Sequence, residues 1–159
     1  MISLTEDKKM LGYGSLGSYA NISHFVTTRR GGCSKDAYAT FNCSPFTGDE
    51  MEHVCRNQEL LFEAMPVKPS ELIIPHQTHG VKNLVIDRAF LALSEGERRA
   101  RLEGIDALMT DIPGCCICIS TADCIPILLY DKQHQAIAAV HAGWRGTAVS
   151  YTHLRAHET

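Results

Sequence analysis

Cys124-Ile125-Pro126-Ile127-Leu128-Leu129-Tyr130-Asp131-Lys132-Gln133-His134-Gln135-Ala136-Ile137-Ala138-Ala139-Val140-His141 is the stretch that decides the fold. Two short apolar runs, Ile125 to Tyr130 and Gln135 to Val140, flank the polar residues Asp131 to His134. Runs of this length bounded by polar residues read as a buried β-hairpin. A turn symmetric about the Lys132/Gln133 bond sets Cys124 directly opposite His141 at the open end. Directly opposed residues share a face with Cβ atoms roughly 4.5 to 5.5 Å apart, so both side chains reach one metal ion. A bulge or an odd-length loop would break that register.

A third candidate ligand, His79, lies upstream in Gln77-Thr78-His79-Gly80. Cys124 follows Thr121-Ala122-Asp123, and His141 opens His141-Ala142-Gly143-Trp144-Arg145-Gly146. Singly, each has an ordinary reading: a loop histidine is usually a surface or hydrogen-bonded residue, and a cysteine in an apolar run a small hydrophobe. Together, two imidazoles and a thiolate suit Zn²⁺. Three ligands leave a fourth position for water or substrate, which is the arrangement of catalytic zinc. The expectation is an enzyme.

Outward from the hairpin, strands dominate. Ser23 to Thr28 reads as a strand ended by the tight turn Arg29-Arg30-Gly31-Gly32. Gly48-Asp49-Glu50 precedes a helical pattern running to Met65, with Val54, Leu60, Leu61 and Ala64 near one face and Pro66 as its stop. Leu72 to Pro75, Val81 to Ile86, Asp106 to Thr110 and Cys115 to Ser120 are further strands. Leu93 to Leu102, rich in Glu and Arg, reads as a solvated helix or lid.

The 159 residues suffice for one domain with a real core, and 45% hydrophobic with 21% charged residues is ordinary for a globular protein. A net charge of −3 gives no support for nucleic-acid binding. No run is long enough to span a membrane, and the N-terminus is no signal peptide, so the expected compartment is the cytoplasm. Seven cysteines, an odd number without an export signal, read as reduced and mostly buried thiols. The pair Cys116 and Cys118 can bind metal, but without a second pair nearby the structural reading, two reduced thiols in an apolar run, is favoured.

Further stretches carry a resemblance. They are Thr27-Thr28-Arg29-Arg30-Gly31-Gly32, Phe41-Asn42, Gly48-Asp49 with Asn57, Gln77-Thr78-His79-Gly80-Val81, Gly104-Ile105-Asp106-Ala107-Leu108-Met109-Thr110, Thr121-Ala122-Asp123-Cys124-Ile125-Pro126, and His141 through Gly146. In order and spacing they resemble the laccase-domain, YfiH-like family, once called multicopper polyphenol oxidases and now viewed as purine nucleoside phosphorylases with adenosine deaminase activity. The resemblance implies an α/β fold of layered mixed β-sheets with flanking helices, zinc on His79, Cys124 and His141, and purine nucleosides and phosphate as substrates. Copper is the alternative metal, although three such ligands make one borderline-soft site and not a multicopper cluster. Family members continue well past Gly146, whereas residues 150–159 do not resemble the family. The expectation is a partial domain over 1–149, incomplete at its C-terminus, with a non-native tail.

Within that reading Arg29 and Arg145 are candidates for the phosphate, since a guanidinium offers a planar fork of donors. Asn42 and His76 are candidate substrate contacts. Asp123 is a candidate to orient a ligand imidazole or to move protons, and Asp106 a candidate backbone cap. Rival readings are a Cys-His hydrolase with Cys124 as nucleophile and His141 as base, acting on amide bonds of cell-wall precursors, and a zinc-binding fragment without turnover. His79 discriminates, because a metal site needs it, whereas a Cys-His dyad tolerates its loss unless it orients the base. The oligomeric state is not legible.

Overall fold

The computed structural model describes residues 1–65 and 67–143. Pro66, Trp144, Arg145, Gly146 and the expected tail at 150–159 lie outside the described residues. Two compact units make up the chain, Met1–Lys68 and a second beginning at Pro69.

In the first unit β1 (Ile2–Ser3), β2 (Met10–Gly12) and β3 (Val26–Thr27) form a small antiparallel sheet, with the single turn α1 (Gly14–Gly17) after β2. The expected strand from Ser23 is reduced to two residues, since β2 offers only Met10 and Leu11 as partners. Helix α2 (Met51–Ala64) buries Val54, Asn57 and Leu61, the spacing of one helical face. It ends as Met65 turns extended (φ −65°, ψ 131°), the conformation favoured in a residue that precedes proline.

Asn57, fully buried, organises the loop before the helix. Its Oδ1 accepts from the Cys33 N–H (2.9 Å), and its Nδ2 donates to Ser34 Oγ (2.8 Å) and to the carbonyls of Asn42 (2.9 Å) and Thr40 (3.2 Å). Gly32 lets this loop close. A Cβ there would lie 2.2 Å from the Thr40 carbonyl oxygen and 2.6 Å from Asn57 Oδ1, so the glycine in Arg29-Arg30-Gly31-Gly32 serves backbone approach.

The second unit contains β4 (Glu71–Ile73), β5 (Asn83–Val85), α3 (Arg88–Leu91), α4 (Glu95–Arg101), β6 (Ala107–Thr110), β7 (Cys115–Ile117), β8 (Ile125–Asp131) and β9 (Ala136–Ala142). β4 pairs with β7 in parallel, and a four-stranded sheet runs β5-β6-β9-β8, parallel between β5 and β6 and antiparallel elsewhere. The fold is a mixed α/β arrangement of several sheets with few helices. Helix α4 begins at a capping box between Ser94 and Glu97 and presents Arg98 to Glu71 (3.1 Å); it carries none of the site residues.

Strand register explains why these runs are continuously apolar. Leu84, Leu108, Ala139 and Leu128 form one row facing the core with Ile73, Ile86, Phe90, Ile105 and Ile117. The next row, Val85, Met109, Ala138 and Leu129, lies on the opposite face, where Leu129 is 55% exposed. Both rows are apolar, but among the described residues only the first packs into the core: Val85 and Met109 are exposed beside Leu129.

The hairpin forms, but two residues out of the expected register: Pro126, not Cys124, faces His141. The reason is Asp131. Its Oδ1 accepts from the Gln133 (2.8 Å) and His134 (3.1 Å) N–H groups, so the strand runs through Asp131 and the loop is Lys132 to Gln135, with Gln135 at φ +55°. The chemistry survives. Cys124 precedes Pro126 by two residues, so the pleat returns it to the face of His141, as a diagonal rather than a direct neighbour.

All seven cysteines are free thiols; Cys115 is buried, Cys55 exposed and the other five half-buried, fewer buried than expected. Among the described residues no helix is long and apolar enough to cross a membrane.

Candidate metal centre

The ends of β5, β6, β8 and β9 meet at one edge of the four-stranded sheet, and the candidate ligands collect there. His141 lies near the end of β9, Cys124 just before β8, and His79 in the loop leading to β5. One donor atom from each lies within 4.8 Å of the other two, and this is the cluster of three or more such groups among the described residues. The His79 and His141 rings meet edge to face, with centroids 4.7 Å apart.

Asp106 fixes this geometry. It sits just before β6, opposite His141, whose N–H donates to the Asp106 carbonyl (2.8 Å). Residues opposed in this way share a face, and the Asp106 carboxylate meets His141 Nδ1 at 2.8 Å. Both are nearly removed from water, at 2% and 7% exposure. A carboxylate only accepts here, so Nδ1 is the donor of this pair, which leaves Nε2 as the ring nitrogen available to a metal. That is the carboxylate–histidine pairing found behind metal-bound imidazoles.

The same carboxylate builds the His79 loop. Oδ1 also accepts from the His79 N–H (2.9 Å), and Oδ2 from the N–H groups of Gly80 (2.7 Å) and Thr78 (3.2 Å). These bonds hold His79 at φ +60°, a left-handed conformation that costs a non-glycine residue roughly 1 kcal/mol or more. Burial pushes the Asp106 carboxyl up, but the His141 bond and the three backbone donors outweigh it, and the net shift is downward. Gln77 anchors the loop's other side: its amide donates to the Ser120 carbonyl (2.8 Å) and accepts from the Ser120 N–H (2.7 Å).

The donor set fits zinc. Two nitrogens and a cysteine sulfur converge, a buried carboxylate orients one imidazole, and Gly143 leaves room beside them. A Cβ at Gly143 would lie 3.3 Å from His79 Cδ2 and 3.9 Å from Cys124 Sγ, so a larger side chain would crowd the site.

The other candidates are placed as follows. Asp123 lies beside the cluster, its Oδ1 3.9 Å from Cys124 Sγ, while the bond to a ligand imidazole comes from Asp106. His76 Nδ1 meets Glu103 Oε1 at 2.7 Å. Arg29 and Asn42 belong to the first unit. The Arg29 guanidinium donates to the Ala39 carbonyl through Nε (2.9 Å) and Nη2 (2.7 Å), and the Asn42 amide donates to Thr47 Oγ1 (2.8 Å) and Asp49 Oδ2 (3.0 Å). Arg145 lies outside the described residues. Sequence reasoning took Asp106 for a backbone cap and missed its bond to His141. The available signal was a carboxylate opening an otherwise apolar run, since an ionised residue is rarely buried unless paired.

The chain is similar to known proteins. A purine nucleoside phosphorylase of Bacteroides thetaiotaomicron is 63% identical over 147 residues, covering 92% of this chain and 54% of that protein. Adenosine deaminase RL5, from an unknown prokaryotic organism, is 40% identical over 130 residues, covering 82% of this chain and 50% of that protein. The chain thus spans about half the length of the curated relatives it matches. Among solved structures, YlmD from Geobacillus stearothermophilus superposes with a TM-score of 0.66 at 29% identity, covering 78% of this chain and 46% of that one. Neisseria meningitidis protein NMB0706 superposes with a TM-score of 0.64 at 31% identity, covering 89% and 54%. Residues 23–153 match the family described as multi-copper polyphenol oxidoreductase laccase, and the chain belongs to that family.

Proposed function

We propose that this chain carries the zinc centre of a purine nucleoside phosphorylase that also deaminates adenosine, with His79, Cys124 and His141 as ligands. The observation that carries the reading is the convergence of these three donors with Asp106 behind His141. The names of the relatives supply the substrate class: purine nucleosides for both reactions, and phosphate for phosphorolysis. Zinc held there supplies Lewis acidity and lowers the pKa of water toward about 7.

The chain's own residues have these roles. Asp106 keeps the His141 proton on Nδ1 and holds His79 in place. Asp123, adjoining the thiolate, is the group for proton transfer at the reacting base. Arg145 is proposed for the phosphate dianion and His76 for a nucleoside contact, while Arg29 and Asn42 are engaged within the first unit, with the Ala39 carbonyl and with Thr47 and Asp49. Among the described residues one mixed nitrogen and sulfur cluster is found, which favours zinc over a copper polyphenol oxidase, an enzyme that requires several metals.

One observation favours a second reading. Asp106, His141 and Cys124 also follow the orienter, base and nucleophile order of a Cys-His hydrolase. The left-handed His79 turned toward the same point is superfluous to that chemistry and necessary to a metal.

The test is phosphate-dependent release of hypoxanthine from inosine by the zinc-loaded chain and its Cys124→Ala variant. Release that needs phosphate and vanishes in the variant supports the proposal. Release independent of phosphate, or retained in the variant, contradicts it. Zinc binding without release assigns the chain to the non-catalytic module, and amide hydrolysis that survives His79→Ala assigns it to the hydrolase.

A further inference from the structure

A second sulfur site lies on β7, independent of the centre above. Cys116 pairs with Leu72 on β4, and the Cys118 N–H donates to the Ile73 carbonyl (2.9 Å), so strand geometry extends through Cys118. Residues two apart on a strand share a face. Cys115 and Ile117 turn into the core, while Cys116 and Cys118 stand side by side on the other face, half-buried, with their sulfurs 3.7 Å apart.

That separation suits chelation. Metal–thiolate bonds of about 2.3 Å spanning 3.7 Å close an S–metal–S angle of about 107°, near tetrahedral. Oxidation asks for more movement. Residues two apart on a strand have Cα atoms roughly 6.6 Å apart, at the outer limit of what a disulfide spans. The thiols also differ in readiness to ionise. Burial pushes Cys115 up to about 11, whereas the hydrogen bond from Cys118 brings Cys116 below the usual thiol range against the opposing effect of burial. Among the described residues no third histidine, cysteine or carboxylate groups with the pair, which there offers two protein ligands.

We propose that Cys116 and Cys118 form a bidentate site for a soft, thiophilic d10 cation. Binding breaks two S–H bonds, releases two protons to solvent and forms two S–metal bonds, without change of oxidation state. Soft thiolates select such ions over harder ones. Solvent or a small exogenous thiol completes the coordination.

The experiment is a Cd²⁺ titration of the reduced, metal-free chain carrying Cys124→Ala, which removes the sulfur of the other centre. It is followed by the sulfur-to-cadmium charge-transfer band and by proton release. The expected result is one Cd²⁺ per chain with two protons released. Adding Cys116→Ser or Cys118→Ser should weaken binding on the order of 10² to 10⁴-fold, because the second ligation is no longer intramolecular. An unchanged band in either double variant, or no band in the parent, overturns the proposal. Should a double variant fail to fold, alkylation of the parent with and without Cd²⁺ decides. Protection of Cys116 and Cys118 together upholds the site, and their equal labelling in both samples refutes it.

Discussion

Asp106→Asn preserves the shape of the buried carboxylate and changes only its charge and one acceptor. In the native chain two oxygens accept four hydrogen bonds, Oδ1 from His79 N–H and His141 Nδ1, Oδ2 from Thr78 and Gly80 N–H. An asparagine offers one acceptor oxygen and one donor NH₂. With its oxygen toward Thr78 and Gly80, the NH₂ faces His141 Nδ1. The imidazole then accepts there only by moving its proton to Nε2, the nitrogen needed by a metal. With the amide reversed, the NH₂ points at two backbone donors. Either way two charge-assisted bonds are lost, each contributing roughly 1.5–3 kcal/mol, and Thr78 and Gly80 are exposed enough to recover part of that from water. The expected cost is about 2–4 kcal/mol of stability, with zinc affinity reduced roughly 10–100-fold. Urea unfolding of the metal-free chain and competition with a chromophoric chelator measure the two. Zinc affinity within twofold of wild type, with an unchanged urea midpoint, would refute the reasoning.

Three further outcomes are expected. Leu108→Ala, at a site 1% exposed, should cost about 2–5 kcal/mol, whereas Leu129→Thr on the outer face of the same sheet should change stability by no more than about 0.5 kcal/mol; chemical denaturation separates them. Gly32→Ala should destabilise the first unit by roughly 1–3 kcal/mol, seen as faster amide exchange at Cys33 and Ser34, because the new methyl meets the Thr40 carbonyl oxygen. The Ser34 hydroxyl, then Asn42 and the Glu50 N–H, hold the Asp49 carboxyl below its ordinary range despite burial. A depressed folded pKa contributes stability that is complete above the unfolded value of about 4 and is lost as pH falls through the folded value. Amide exchange across residues 33–57 should therefore accelerate below about pH 4, and less so in Asp49→Asn.

Two short apolar runs around a polar centre made the hairpin legible, and with it the shared face of Cys124 and His141. The register was not legible, because only the folded turn shows Asp131 accepting from Gln133 and His134. A slip of one position in the turn centre moved the pairing by two residues and so left every side chain on its face. The helix before Pro66 was readable from spacing. The short strands of the first unit were not, since pairing with two or three residues of a neighbour leaves little periodicity. Asp106 stayed hidden for a different reason. Its partners, Thr78 to Gly80 and His141, are 26 or more residues away in sequence. Asn42 shows the converse: it stands out in the sequence, and its amide is engaged with Thr47 and Asp49 in building a loop.

X-ray absorption at the zinc edge of the zinc-loaded chain tests the central claim most directly. Ligation by His79, Cys124 and His141 predicts one sulfur at about 2.3 Å and two imidazole nitrogens at about 2.0–2.1 Å, with the sulfur lost in Cys124→Ala. A shell of two or more sulfurs, no imidazole scattering, or a spectrum unchanged in Cys124→Ala would contradict it.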